Sequence, residues 1–162
     1  MKKSIILSIV IAICSGYNTL FGQSYSALVK DINTTANTSG SSPNQTIKMG
    51  GNVYFVARHS TAGRELWKSD GTETGTVLVK DINNGTNNAD IFDFCVVGTT
   101  LFFAANNGII GKELWKTDGT TAGTVLVKDI IVGSNGSSPT NLTNVGSVLY
   151  FTANDNINGT EL

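Results

Sequence analysis

Short apolar runs separated by polar turns set the pattern of this chain. Residues 91–97, 100–105, 112–117 and 124–131 are each of strand length, with Gly, Asn, Asp and Thr gathered between them. No apolar stripe at helical spacing runs through the segment, so four short strands and no helix are expected. The strands do not alternate cleanly between apolar and polar. Leu101-Phe102-Phe103-Ala104, Leu114-Trp115 and Val125-Leu126-Val127 put apolar groups on both sides of a pleated sheet. Both faces must then be covered.

The same unit recurs along the chain. Residues 65–82 read ELWKSDGTETGTVLVKDI and residues 113–130 read ELWKTDGTTAGTVLVKDI, differing only where Ser69, Glu73 and Thr74 become Thr117, Thr121 and Ala122. Tyr54, Phe102 and Tyr150 are spaced by 48 residues, as are Glu65, Glu113 and Glu161. Fixed self-similarity at this length marks a stacked or circular array of supersecondary units. Four short strands with two apolar faces are the blade of a β-propeller, where each sheet is sandwiched between neighbours. The expected fold is therefore all-β, a propeller-like array of four-stranded blades. Residues 1–22 form a leader, and 23–162 the repeats, with copy one ending at 82, copy two at 83–130 and a partial copy three at 131–162. Residues 28–32 (LVKDI) repeat the fourth strand without the three before it, and are expected to supply the outer strand of the last blade. Propellers have about 4 to 8 blades, so the chain is expected to be the N-terminal part of a longer array. The alternative is two copies closing one ring.

Within each copy the repeated residues have structural expectations. Leu66-Trp67 and Leu114-Trp115 should pack between blades, because a large ring repeated in register is most simply core. Asp70-Gly71-Thr72 with Gly75-Thr76, and Asp118-Gly119-Thr120 with Gly123-Thr124, should make tight hairpin loops. Asp can accept from the backbone two residues on, Gly can take positive φ, and Thr can cap free amides. Lys30-Asp31, Lys80-Asp81 and Lys128-Asp129 are expected to pair with Glu65, Glu113 and Glu161 between blades, fixing register more than adding stability.

Composition agrees with strands and turns, through 18 Gly, 17 Asn and 20 Thr. Lys2-Lys3, the apolar run at 5–14 and the polar stretch to Gly22-Gln23 have the three parts of an export signal, too short to span a bilayer. Lipoprotein processing at Cys14 is the rival, weakened by Ile13 where a small residue is required. Net charge is −1, and loss of Lys2 and Lys3 with the leader makes it −3, so neither nucleic acid nor an anionic membrane is expected as a partner.

The ELWKSDGTETGT and ELWKTDGTTAGT segments resemble the ELWxxDGT repeat proteins, exported bacterial proteins built from tandem copies of this motif. The match covers nearly all of the chain after the leader. The resemblance implies a propeller-like shape, a place outside the cell or on its surface, and no catalytic residues to carry over.

No catalytic constellation stands out in the sequence. Cys95 would be the sole thiol after leader removal and sits in an apolar strand, while His59 is the single histidine, so neither a triad nor a His-based metal cluster can be assembled. The DGT loops differ from the Asp-box of sialidases in having Asp and Gly adjacent, and Arg58 and Arg64 are too few for a sialidase carboxylate cluster. Asn154, Asn156 and Asn158, with Asp155 and Gly159, imitate the first half of a calcium loop, although a plain Asn-rich turn explains them more simply. Residues present in every copy serve the blade. Function is therefore expected where copies differ: residues 33–45, 83–90 and 58–64. The leading expectation is a non-enzymatic, exported scaffold that binds a macromolecule or glycan. The runner-up is the accessory propeller of an extracellular, glycosidase-like hydrolase.

Overall fold

In the computed structural model, which describes residues 28–34 and 40–162, the chain is all-β. The expected leader lies outside these residues. β1 (Asn44–Met49), β2 (Asn52–His59), β3 (Gly63–Ser69) and β4 (Val77–Lys80) form one antiparallel sheet in chain order. β5 (Phe92–Val97), β6 (Thr100–Asn106), β7 (Lys112–Thr117) and β8 (Val125–Lys128) form a second. β9 (Thr140–Val145), β10 (Val148–Asn154) and β11 (Thr160–Glu161) form a third, of three strands.

The repeat is visible in the register. Phe55 faces Trp67 and Phe103 faces Trp115 across equivalent strand pairs, and the register slips after Leu66 and after Leu114 alike. Each first strand carries a bulge, at which Gln45, Asp93 and Asn141 take φ of 52°, 61° and 58°. Asp and Asn tolerate that left-handed conformation better than most residues, and a bulge bends the strand that holds it. β8 stops at Lys128, three residues short of the expected end. The amides of Ile130 and Ile131 turn instead to the Glu113 carboxylate, at 3.3 and 3.5 Å.

Apolar groups on both faces of the first two sheets are largely covered, although Val125 and Val127 of β8 remain exposed. The sheets stack, with β1 against β5 and β5 against β9. Tyr54, Val56, Leu66 and Val79 of the first sheet meet Leu101, Phe103, Ala105 and Trp115 of the second in one buried cluster. Cys95 and Leu114, on the other face of the second sheet, meet Leu142 of the third. Cys95 is thus a small packing residue, its thiol pushed up by burial and then by Asp93. Both tryptophans lie in core, with Trp67 packed on Ile32, Phe55 and Ala57. Among the described residues the stack is open, and the far face of the third sheet exposes Val145 and Tyr150.

Residues 28–34 are not strand, but their place is informative. Ile32 is buried against the outer face of the first sheet. Lys30 Nζ donates to the Thr76 carbonyl at 2.9 Å, just as Lys80 Nζ donates to the Thr124 carbonyl at 2.8 Å. The segment lies on sheet one as β4 lies on sheet two.

Candidate functional site

The side chains of the repeated motif are bound up in holding the sheets. Asp70 Oδ1 accepts from the amide and hydroxyl of Thr72 at 2.9 and 2.7 Å, Thr72 Oγ1 accepts from the Gly75 amide, and Thr76 Oγ1 donates to the Thr72 carbonyl. The loop at Asp118, Thr120, Gly123 and Thr124 repeats every one of these bonds. Hydrogen bonds from Thr72 and Thr120 hold the two aspartates below the usual carboxylate range. Gly75 and Gly123 are required because a Cβ would fall 2.0 and 2.1 Å from the Asp carboxylate.

The loop also latches one sheet to the next, a role the sequence reading missed. Lys68 Nζ donates to the Gly119 carbonyl at 2.7 Å, and Thr121 Oγ1 donates to the Val79 carbonyl at 2.8 Å. The Tyr54 hydroxyl lies where a Cβ on Gly119 would stand. Burial, and then the charge of Asp118, pushes the Tyr54 phenol up.

The expected pairing of Lys and Asp with Glu between sheets is not what forms. Glu65 and Glu113 are fully buried on β3 and β7, and their carboxylates accept backbone amides. Ile82 and Asn83 donate to Glu65 at 2.9 and 3.2 Å. Ile130, Ile131 and Ser137 donate to Glu113, with the Ser137 hydroxyl adding a short bond. Each glutamate therefore fixes the connection that leaves the fourth strand for the next sheet, while Lys30 and Lys80 bond to carbonyls. Glu161 is exposed.

The segments that differ between copies do converge. Arg58 donates its amide to the Ser41 carbonyl, Arg64 its amide to Asn88 Oδ1, and Ala89 its amide to the Arg64 carbonyl. Gly63, at φ 63°, admits the Asn87 carbonyl to where a Cβ would sit. These contacts bring residues 41–44, 58–64 and 87–90 to one end of the first two sheets. A cleft of about 320 Å³ opens there between the sheets. Its polar wall is Asn44, Arg64, Asp90 and Lys112, and Val56, Ile91 and Phe92 supply its apolar wall. Arg64 Nη2 is held by the Ser42 carbonyl at 3.2 Å and Asn44 Oδ1 at 2.9 Å. Lys112 Nζ lies 4.6 Å from the centre of the Phe92 ring. The signal for this cleft was present in the period, since Arg64 and Lys112 are 48 residues apart and so occupy equivalent places in adjacent sheets.

Other candidates have local roles. Asn154 Oδ1 accepts from the Asn156 amide at 2.6 Å, and Asp155 Oδ1 from the amides of Ile157 and Asn158, which holds the Asp155 carboxyl below its ordinary range. Asn106 and Asn107 bond the amides of Gly108, Ile109 and Ile110 in the same way, so these oxygens serve a turn. Among the described residues no group of three His, Cys, Asp or Glu side chains is placed to hold a metal. His59 is the half-buried last residue of β2, its ring centre 5.9 Å from that of Trp67. No described helix is long and apolar enough to cross a membrane. Compared with known proteins, the chain matches no family model, no curated protein and no solved structure.

Proposed function

We propose that the chain is an exported, non-enzymatic binding scaffold of the ELWxxDGT repeat kind, whose stacked sheets are the blades of a β-propeller. Its ligand is a macromolecule or glycan, held in the cleft between the first two sheets. One observation carries this reading. The Asp, Thr and Glu side chains that the motif shares between both full copies bond within their own loops or to neighbouring backbone, whereas the copy-specific segments meet at one end and leave a lined cleft. In a repeat array a site that breaks the symmetry is the place for recognition.

The stacking and the position of residues 28–34 support the propeller part of the reading, because blades meet face to face in that arrangement. The test of function is a glycan and protein array probed with the exported chain, in parallel with Lys112→Met and Thr72→Val variants. Signals that vanish with Lys112→Met and persist with Thr72→Val are the expected result. Signals insensitive to Lys112 would refute the cleft.

A further inference from the structure

From the groups that line the cleft, and resting on the binding role just proposed, we infer that it takes an acidic sugar residue, a pyranose bearing one carboxylate. Arg64 and Lys112 enter the cleft from equivalent positions of adjacent sheets, and Asp90 faces the same space. Two cations and one carboxylate leave a single net positive charge, which suits a monoanion better than a dianionic phosphate.

The arrangement of donors makes the choice sharper. Ser42 and Asn44 hold one end of the Arg64 guanidinium through Nη2, so the fork is oriented before any ligand arrives. Its Nη1 and Nε have no partner among the described residues, and each can donate a single charge-assisted bond to a ligand carboxylate. Asn44 accepts from Arg64 through Oδ1, which leaves its amide nitrogen to donate. Asp90 is exposed and supplies an acceptor for a sugar hydroxyl. Val56 and Ile91 are buried beneath the cleft, so the half-buried Phe92 is the apolar group left to meet the ring carbons. Two cationic donors for a carboxylate, with an acceptor for hydroxyls beside them, match a hexuronic acid.

The comparison between copies shows that this cleft is not a by-product of the repeat. Between the second and third sheets the positions of Asn44, Arg64 and Asp90 are filled by Phe92, Lys112 and Ser138, and that of Lys112 by Thr160. The equivalent gap thus has one cation and no carboxylate.

The test is an amide-resolved NMR titration of the chain with trigalacturonate and with its methyl ester, which keeps the shape and removes the charge. The acid is expected to shift the amides of Ile91, Phe92 and Lys112, and esterification or Lys112→Met to weaken binding roughly tenfold or more. Lys112→Met retains an apolar stem over Phe92 and breaks no recorded hydrogen bond, so an unchanged spectrum of the free variant reports its fold directly. Equal affinity for acid and ester in the cleft would overturn the acidic class while leaving cleft binding intact. Cleft shifts produced by peptides with a free C-terminal carboxylate, and by neither sugar, would overturn the saccharide. If other ligands bind and none perturbs these amides, the cleft itself is wrong.

Discussion

Glu65 shows at the level of one residue how the motif works. Its carboxyl lies in core at the base of β3, and burial pushes it up to about 8 although the Ile82 and Asn83 amides pull it down. A carboxyl raised in the folded state binds its proton more tightly there than in the unfolded chain. Its contribution is therefore complete below the ordinary range near 4.5 and lost as pH rises through about 8. Melting temperature is expected to fall between pH 5 and pH 9, and Glu65→Gln to remove much of that slope. An unchanged slope in the variant would show that the carboxyl does not set it. The DGT loop makes a second residue-scale prediction. Gly123→Ala drives a methyl into the Asp118 carboxylate and should cost about 1–3 kcal/mol, as overpacking does. In an Asp118→Ala background the same change meets no carboxylate. Chemical denaturation of the four proteins of this cycle should show strong non-additivity, and simple additivity would mean that the two residues do not meet.

Among the elements, the paired DGT hairpins offer an internal control. Gly71 and Gly119 have the same φ of 92°, yet a Cβ on Gly71 meets nothing while one on Gly119 meets the Tyr54 hydroxyl at 2.1 Å. Both Ala variants suffer the left-handed backbone, at about 1–2 kcal/mol. Only Gly119→Ala should be further destabilised by the neighbouring sheet, and only it should be partly rescued by Tyr54→Phe, as measured by urea midpoints. The strands themselves were legible because turn residues bracket each run, so β5, β6 and β7 lie within a residue of their expected limits. The end of β8 was not legible. What stops it is the Glu113 carboxylate, a partner 17 residues earlier whose burial no local pattern announces. The DGT loop was read correctly as a hairpin and incompletely as a latch, since its bonds to Lys68 and Val79 depend on which sheets are neighbours.

For the whole molecule, two apolar faces per sheet required stacking, and the stack is present. The three copy-specific segments were legible as candidates. Their convergence was not, because the contacts from residues 41–44 and 87–90 to the region around Arg58 and Arg64 span about twenty residues and are made mainly through backbone groups. The interface between sheets is the central element, since both the latch and the cleft exist only where two sheets meet. Nuclear Overhauser contacts across that interface test it most directly. Contacts from the Tyr54 ring to the α protons of Gly119, and from the Trp115 indole to Ile82, are expected alongside those within sheet one between Tyr54 and Lys68. Finding the within-sheet contacts in full, with none between Tyr54 and Gly119 or between Trp115 and Ile82, would contradict the stacked arrangement and with it the cleft.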